Sequence, residues 1–269
     1  MKQKSRTGRA PRGRRRGQRA ITEHGQIDRR LIISCALDLA KSTPLAELSI
    51  VRVARELGVT PALIHYYLEG RDALTSGVMN AFYGGMLADW PAASGRWRED
   101  VEAVARHVYE AHVRYPGIAA YVISHNRFRM AQLVAEGEAD HGIELFDRFV
   151  APFRGLGFDA HRTAMWAHLV MEMVISNAYA TVRHRWPGEH GEFLRRILGR
   201  LDPERFPNAC FVREANVRLN AGEAFSLGLE LMLEALQREF GAAAGRAGGR
   251  VAASGPRARR PRRSSAARD

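Results

Sequence analysis

Cysteine is scarce in this chain of 269 residues, which contains only Cys35 and Cys210. Two thiols cannot build the disulfide framework of a small secreted domain or a structural zinc site of four thiolates. Cys35 falls on the apolar side of a predicted helix, which favours a small core residue over an exposed redox-sensing thiol. We therefore expect an intracellular, cytoplasmic protein.

Long apolar runs are missing as well. The most apolar segment, residues 164–182, contains His168, Glu172 and Asn177, whose side chains are costly in a lipid bilayer. The basic start of the chain is not followed by the apolar stretch that a secretory signal requires. The sequence predicts neither a membrane span nor export, and it favours a buried helix over residues 164–182.

Motifs for catalysis or metal binding are also absent. The ten histidines form no His-x3-His pair or HExxH motif, and Glu138 with His141 is a single carboxylate–imidazole pair. Glycines at 84–85 and 241–249 lack the flanking strand and helix of a phosphate-binding loop. We therefore predict that the protein is not an enzyme and uses no catalytic residue, cofactor or metal.

Positive charge is abundant, and it is concentrated at the two ends. The formal charge is +12 overall, but residues 1–27 carry +8 and residues 242–269 carry +7, which leaves −3 for residues 28–241. Both ends are rich in Gly, Ala, Pro, Ser and Arg without apolar periodicity, so we predict disordered basic arms over 1–27 and 242–269. Such arms either stay solvated or hold the phosphates of DNA or RNA.

Helical periodicity dominates the body between the arms, which predicts an all-α fold. Within residues 28–75, Asp28 suits the start of a first helix, Ser49 caps a second, and Thr60 with Pro61 opens a third. Gly58 supplies the turn between the second and third helices. This spacing is that of a DNA-binding helix-turn-helix, although an ordinary helical hairpin of a larger bundle has it too.

The third predicted helix has one apolar face and one open face. Ile64 and Leu68 can dock on the second helix, which turns the residues between them outward. Contacts with base edges would then specify a DNA sequence, while hydroxyl groups would bond to the phosphate backbone. The DNA contacts predicted from this arrangement are Ser49, Thr60, Pro61, Ala62, Leu63, His65, Tyr66 and Tyr67.

The segment from Ala54 to Leu68, followed by residues 71–74, closely resembles the N-terminal domain of the TetR family of bacterial transcriptional regulators. The resemblance covers about residues 28–74 and implies that Arg71 contacts phosphate. It also implies that residues 76–241 form a larger helical domain that binds an effector and dimerises. Three features depart from the family pattern, namely His65 in place of the usual Tyr, Leu68 in place of a frequent Phe, and residues 42–44 where a Gly commonly ends the first helix.

The larger domain contains aromatic and methionine side chains suited to an apolar effector of drug or metabolite size. His112 falls on the buried stripe of a helix predicted over residues 97–115, where a histidine is more often a satisfied core residue than a ligand. The effector itself is not specified by these residues. The predicted pocket lining is Tyr109, His112, Tyr121, His125, Phe149, Trp166, Met171 and Asn177.

Two predicted helices carry more apolar surface than one chain can cover. The helix of about residues 161–183 is apolar almost all round, and the helix of 223–240 has a long apolar stripe with Leu227 and Leu231 beside it. We predict that they form a homodimer interface as a four-helix bundle, as in the family that the chain resembles. One large monomeric core is the alternative.

These features predict a sequence-specific, ligand-responsive regulator that binds duplex DNA as a homodimer, most often a repressor in the resembled family, at an inverted-repeat operator. A competing hypothesis is an architectural DNA- or RNA-binding protein in which the Arg-rich arms bind and the body only dimerises. A helical enzyme that uses the same pocket is a third hypothesis.

We call residues 28–74 the reader unit, and it is formally neutral, with six basic and six acidic residues. Deletion of residues 1–24 is therefore expected to weaken binding to all duplexes about alike and to flatten its salt dependence, because each phosphate contact releases counterions. A salt titration of DNA binding measures this slope. A slope equal to that of the full chain would contradict a DNA-binding role for the arm.

Overall fold

The computed structural model describes residues 21–22, 25–124 and 132–253, with side chains described over 27–124 and 132–241. The predicted all-α class is confirmed, since within these ranges the strands are limited to the antiparallel pair Ile21–Thr22 and Gly25–Gln26. Short 3₁₀ turns lie at Leu45–Glu47 and Pro187–His190. The helices are α1 (Arg29–Leu39), α2 (Ile50–Glu56), α3 (Pro61–Tyr67), α4 (Arg71–Ala88), α5 (Trp97–Arg114), α6 (Pro116–Ser124), α7 (His141–Arg154), α8 (Ala160–Val182), α9 (Gly191–Leu198), α10 (Pro207–Asn216) and α11 (Ala221–Ala253).

The predicted helix starts in the reader unit follow local capping chemistry. The Asp28 carboxylate accepts a hydrogen bond from the backbone N–H of Leu31 at 2.7 Å, and the Ser49 hydroxyl accepts one from Arg52 N–H at 3.2 Å. Thr60 occupies the N-cap position of α3, but its hydroxyl makes no capping hydrogen bond. All three starts therefore lie where the sequence predicts them, and Thr60 keeps its hydroxyl for another partner.

The described residues include part of each segment that the sequence assigned to an arm. Ile27 is only 1% exposed and packs in the same cluster as Ile32, as a hydrophobic staple around the Asp28 cap does. The helix α11 continues to Ala253 instead of ending near 241, because alanine favours helix and extension costs less than nucleation. The remaining arm predictions, over residues 1–20, 23–24 and 254–269, lie outside the described residues.

Two hydrophobic clusters hold the helices together. The first contains the apolar faces of α1–α4 and also Ala111, Ile118, Tyr121 and Leu145 from the helices that follow. The second joins α5, α7, α8 and α11 around residues such as Phe149. The reader unit thus shares its core with α4–α7, and it is not attached to them by a bare linker.

Gly117 lies at a close backbone contact between the reader unit and the body. The sequence predicts that Pro116 and Gly117 end the helix that begins at Trp97, and α5 does end just before them. Pro116 is also the first residue of α6, because a proline at this position sacrifices no helical hydrogen bond. The Gly117 N–H donates to the carbonyl of Ala40 at 3.0 Å. A Cβ at Gly117 would lie 2.0 Å from the carbonyl oxygen of Thr43 and 2.6 Å from that of Ala40.

No helix in the described part of the chain combines the length and apolar content needed to cross a membrane.

Replacement of Gly117 by Ala is expected to lower the free energy of unfolding by about 1–3 kcal/mol, because the added methyl group overlaps backbone atoms that cannot rotate away. Gly85→Ala is the matched control, since Gly85 lies inside α4 with no atom within 4 Å of the position that a Cβ would take. It should be neutral or stabilise by up to about 1 kcal/mol through helix propensity. Urea titrations of both variants measure the difference, and equal stabilities would refute the close contact.

Candidate DNA-binding surface and effector-binding region

The turn between α2 and α3 is formed by a glycine in the left-handed region. Gly58 has φ +66°, and the N–H of Val59 donates to the carbonyl of Ala54 at 2.9 Å to close the end of α2. Val53, Ala54 and Leu57 are buried below this turn. The turn therefore fixes the direction in which α3 leaves α2.

The helix α3 is buried on one side and open on the other. Ile64 and Leu68 are 0% and 1% exposed in the first cluster, as predicted. The opposite side leaves Tyr66 80% exposed. Three further predicted DNA contacts on this open side are also exposed, namely Pro61, Ala62 and His65.

The predicted contacts next to this open face differ in how exposed they are. Leu63 and Tyr67 are partly buried, and the Tyr67 ring meets the Tyr66 ring edge-on at 5.1 Å. Arg71, at the start of α4, is exposed and donates one hydrogen bond to the carbonyl of Ala46. An Arg side chain carries five N–H donors, so this bond leaves others for a phosphate.

Four of the predicted effector residues pack around the second cluster. Phe149 is 2% exposed, and the Trp166 indole N–H donates to Glu239 at 2.9 Å. Tyr109 stacks on Phe225 at 3.9 Å, and Met171 packs at the margin of the cluster. Phe149 and Trp166 are buried, whereas Tyr109 and Met171 are partly buried, and all four pack in or against the same apolar cluster.

Tyr109 and Asn177 belong to one polar network near the end of α8. The Tyr109 hydroxyl and the Thr181 hydroxyl are 2.9 Å apart, and Thr181 also donates to the carbonyl of Asn177 at 2.8 Å. The Asn177 amide donates to the carbonyl of Met173 at 2.9 Å. Both predicted polar residues thus have partners within the protein.

His112 is a buried histidine with a backbone partner. Its Nδ1 lies 2.8 Å from the carbonyl of Val108, and its ring meets the Phe82 ring edge-on at 5.1 Å. Burial lowers the pKa of His112 to about 4, although the bond to Val108 opposes the shift. The imidazole is therefore neutral at physiological pH and donates from Nδ1.

Tyr121 belongs to the first cluster, with Phe82 and Tyr83. The predicted lining residues are thus divided between two clusters and do not surround one space. His125 lies outside the described residues. The assignment of these eight residues to an effector pocket stays a prediction.

An open cleft lies elsewhere, beside the connection between the last residue of α4 and the first residues of α5. We call it the distal cleft, and its volume is about 430 Å³. None of the seven described residues of the predicted pocket borders it. Its lining consists of Trp90, Pro91, Ala92, Ala93, Gly95, Trp97, Asp100, Ala103, Val104, Arg148, Ala151, Pro152 and Gly155.

A polar contact between α4 and the segment that leads into α7 was not predicted from the sequence. Asn80 is buried in an otherwise apolar stretch of α4, and its amide donates to the carbonyl of Ala139 at 3.0 Å. Its side-chain oxygen accepts a hydrogen bond from His141 N–H at 2.9 Å. Close to this contact in the chain, Glu138 pairs with Arg29 of α1 at 3.1 Å. We call residues 138–141 the clamp, and the lone Asn within the apolar run was the signal that could have found it.

Metal and thiol chemistry have little support among the described residues. No three His, Cys, Asp or Glu side chains in these ranges are grouped so that they could hold a metal ion. Cys35 is half-buried, and burial, with smaller contributions from Glu56 and Asp38, raises the pKa of its thiol to about 11. Cys35 is therefore protonated at neutral pH, as suits a packed side chain better than a redox sensor.

The helices α8 and α11 pack on each other and leave an apolar strip uncovered. Their inward residues are buried in the second cluster, including Val170, Val174 and Leu229. Outside this contact, Met165 and Leu169 of α8 are 41% and 42% exposed, and Leu227 and Leu231 of α11 are 62% and 54% exposed. We call these four residues the apolar strip.

Comparison with known proteins gives the same architecture. The family described as "Tetracyclin repressor-like, C-terminal domain" matches residues 91–239. Apo ActR from Streptomyces coelicolor is 23% identical with a TM-score of 0.66, over 81% of this chain and 98% of ActR. No curated protein matches the sequence.

Two further solved structures are similar. ActR in complex with actinorhodin has a TM-score of 0.64 at 23% identity, over 81% of this chain and 100% of that one. The transcriptional regulator SCO7222, a TetR from Streptomyces coelicolor, has a TM-score of 0.60 at 17% identity, over 78% of this chain and 97% of that one. At these identities the similarity establishes the shared fold.

The buried His112 should make stability depend on pH. The unfolded imidazole binds a proton near pH 6.5 and the folded one only near pH 4, so its contribution is complete above 6.5 and is lost as the pH falls toward 4. Between pH 7.5 and 5 the loss is about 2 kcal/mol. His112→Asn should reduce this pH dependence of the unfolding free energy, while His161→Asn, at an exposed position, should not. Identical pH dependence in the wild type and His112→Asn would be inconsistent with a neutral buried ring.

Proposed function

Because the chain belongs to the TetR family of transcriptional regulators, we propose that it binds an inverted-repeat operator as a homodimer and represses transcription until a small effector releases it. The observation that carries this proposal is the open face of α3. The opposite side of α3, with Ile64 and Leu68, is buried in the core, while the outward residues are accessible to a major groove of DNA. The apolar support and the open face together suit a helix that is inserted into DNA.

The open face divides into contacts that specify and contacts that position. Pro61, Ala62 and Leu63 can meet thymine methyl groups, and His65 can accept or donate one hydrogen bond at a base edge. The hydroxyl groups of Ser49, Thr60, Tyr66 and Tyr67, with the Arg71 guanidinium, can bond to phosphates on either side. Ser49 accepts the Arg52 N–H with its oxygen, which leaves its own hydrogen for a phosphate.

The apolar strip supports dimerisation through α8 and α11. Four large apolar side chains, two on each helix, are exposed on two helices that already pack together. A second copy related by a twofold axis would cover them and produce a four-helix bundle. Two reader units held in this way require two half-sites on one side of the duplex.

Effector control follows from the shared core between the reader unit and the body. A ligand acts only if it binds one arrangement of the two readers more tightly than the other. The complex of ActR with actinorhodin supports a small organic molecule as the ligand class for a body of this fold. In this proposal the protein represses transcription while it is bound to the operator, and ligand binding ends the repression by releasing the operator.

The proposal can be tested by selecting duplexes from a random pool and then comparing variants on the selected sequence. His65→Ala is expected to weaken binding about 5- to 150-fold and to reduce discrimination at one base pair, as the loss of a base contact does. Tyr66→Phe should weaken all duplexes alike, because it removes only a phosphate contact. Gel-shift titration with matched and mismatched duplexes measures both effects.

His190→Ala is the control, since His190 is exposed and lies in the 3₁₀ turn before α9, away from α3. Selection that yields no consensus, together with unaltered binding by His65→Ala and Tyr66→Phe, would contradict the proposal. That result would favour a binder driven by its Arg-rich ends.

A further inference from the structure

The distal cleft has the dimensions of a ligand site. It lies between the connection 90–97, the start of α5 and the second half of α7. Its volume of about 430 Å³ falls within the range of roughly 300–1,000 Å³ that small-molecule pockets occupy. It is therefore large enough for an organic molecule of a few fused or linked rings.

Small residues on facing helices keep the cleft open. The lining includes Ala103 on α5, Ala151 and Pro152 on α7, and Gly155 just after α7, and none of these has a long side chain that could fill the space. Pro152 also restricts the backbone of α7 at this point. The opening is thus a consequence of sequence at the helix contact.

Two tryptophans form the walls, and both are held by other rings. Trp90 meets the His107 ring edge-on at 5.6 Å, and Trp97 packs at 6.2 Å from the Phe240 ring. His107 is in turn fixed by a 2.9 Å contact between its Nε2 and the carbonyl of Met86. Rigid aromatic walls favour a flat aromatic guest, because stacking then costs little side-chain entropy.

Two charged residues border the cleft, the acidic Asp100 and the basic Arg148. Asp100 accepts a hydrogen bond from Ser94 N–H at 2.6 Å, and this bond lowers the pKa of its carboxyl. The Asp100 carboxylate is thus already hydrogen-bonded within the segment that precedes α5. Arg148 pairs with Glu144 at 2.6 Å one turn earlier on α7, and Glu144 does not border the cleft. The guanidinium keeps further N–H donors for an acidic group.

We infer that the distal cleft binds a planar aromatic molecule that carries an acidic group, with the rings between Trp90 and Trp97 and the acid at Arg148. The inference rests on the proposed function where it makes this molecule an effector. The helix α7 forms one wall of the cleft, and its first residue is held to α4 by the clamp. Because Glu138 of the clamp also pairs with Arg29, movement of α7 reaches both α4 and α1.

Two fluorescent probes that differ in charge test the site. 8-Anilinonaphthalene-1-sulfonate carries an acid, and N-phenyl-1-naphthylamine is its neutral counterpart. Ala151→Trp fills the cleft from an exposed position and should weaken both probes by at least about tenfold. Arg148→Gln should weaken the sulfonate by about fivefold or more and leave the neutral probe unchanged.

Matched controls use the same substitutions outside the cleft. Ala215→Trp lies on an exposed part of α10, and Arg154→Gln lies on α7 without bordering the cleft. Neither should alter the affinity of either probe. Probe affinities in Ala151→Trp equal to those of the wild type would overturn the inference and place the probes on another apolar surface, such as the apolar strip.

The link to DNA is tested separately on the selected duplex. Saturating sulfonate probe should weaken DNA binding by the wild type at least about fivefold, and Glu138→Gln should reduce this effect while probe affinity is retained. The Ala151→Trp variant should bind DNA with the affinity of the wild type, and the probe should not change that affinity. Unchanged DNA affinity with the cleft occupied would overturn the effector role, whereas a protein that binds the probe but no duplex would refute the proposed function and leave the cleft site standing.

Discussion

The burial of Ile64 and Leu68 beneath α3 is the contact on which the rest of the structure depends. These side chains are held in a core that also contains Ala111, Ile118 and Leu145 of the body. Apolar burial of this kind contributes on the order of 1.5–3 kcal/mol for each large side chain, so α3 cannot turn freely relative to α4–α7. The orientation of the open face is therefore a property of the whole chain, and a change in the body can be felt at α3.

Two polar contacts require a precise geometry, one between the reader unit and α6 and one between α4 and the clamp. Gly117 allows α6 to approach the end of α1 within backbone hydrogen-bond distance, and Asn80 joins α4 to the clamp with both halves of its amide. A hydrogen bond of this kind is lost when its two atoms move apart, whereas apolar side chains can shift and stay in contact. A body that changes shape must therefore carry the reader unit with it or lose these bonds, and this is the physical basis on which effector control could operate.

The features that could be predicted from sequence are those with a local cause. Asp28, Ser49 and Gly58 define helix ends through hydrogen bonds and backbone angles within four residues, and the alternation of Ile64 and Leu68 with outward residues follows from helical period. The prediction placed Ile27 in the arm because composition does not reveal its packing with Ile32. The prediction ended the last helix near 241 because the composition beyond it suggests disorder, whereas the alanines there favour the helix that continues to Ala253. The distal cleft, the clamp and the role of Gly117 depend on pairs such as Asn80 with His141, which are distant in sequence, so periodicity alone carries no information about them.

The central claim is that two copies of the open face are held at a fixed separation suited to one side of a duplex. Hydroxyl-radical footprinting of the wild-type protein on its selected duplex tests this claim most directly. We expect two equivalent protected segments related by a dyad, with centres about 10–10.5 base pairs apart, or a multiple of that, on one face. A single protected segment, or protection spread evenly along the duplex, would contradict the claim.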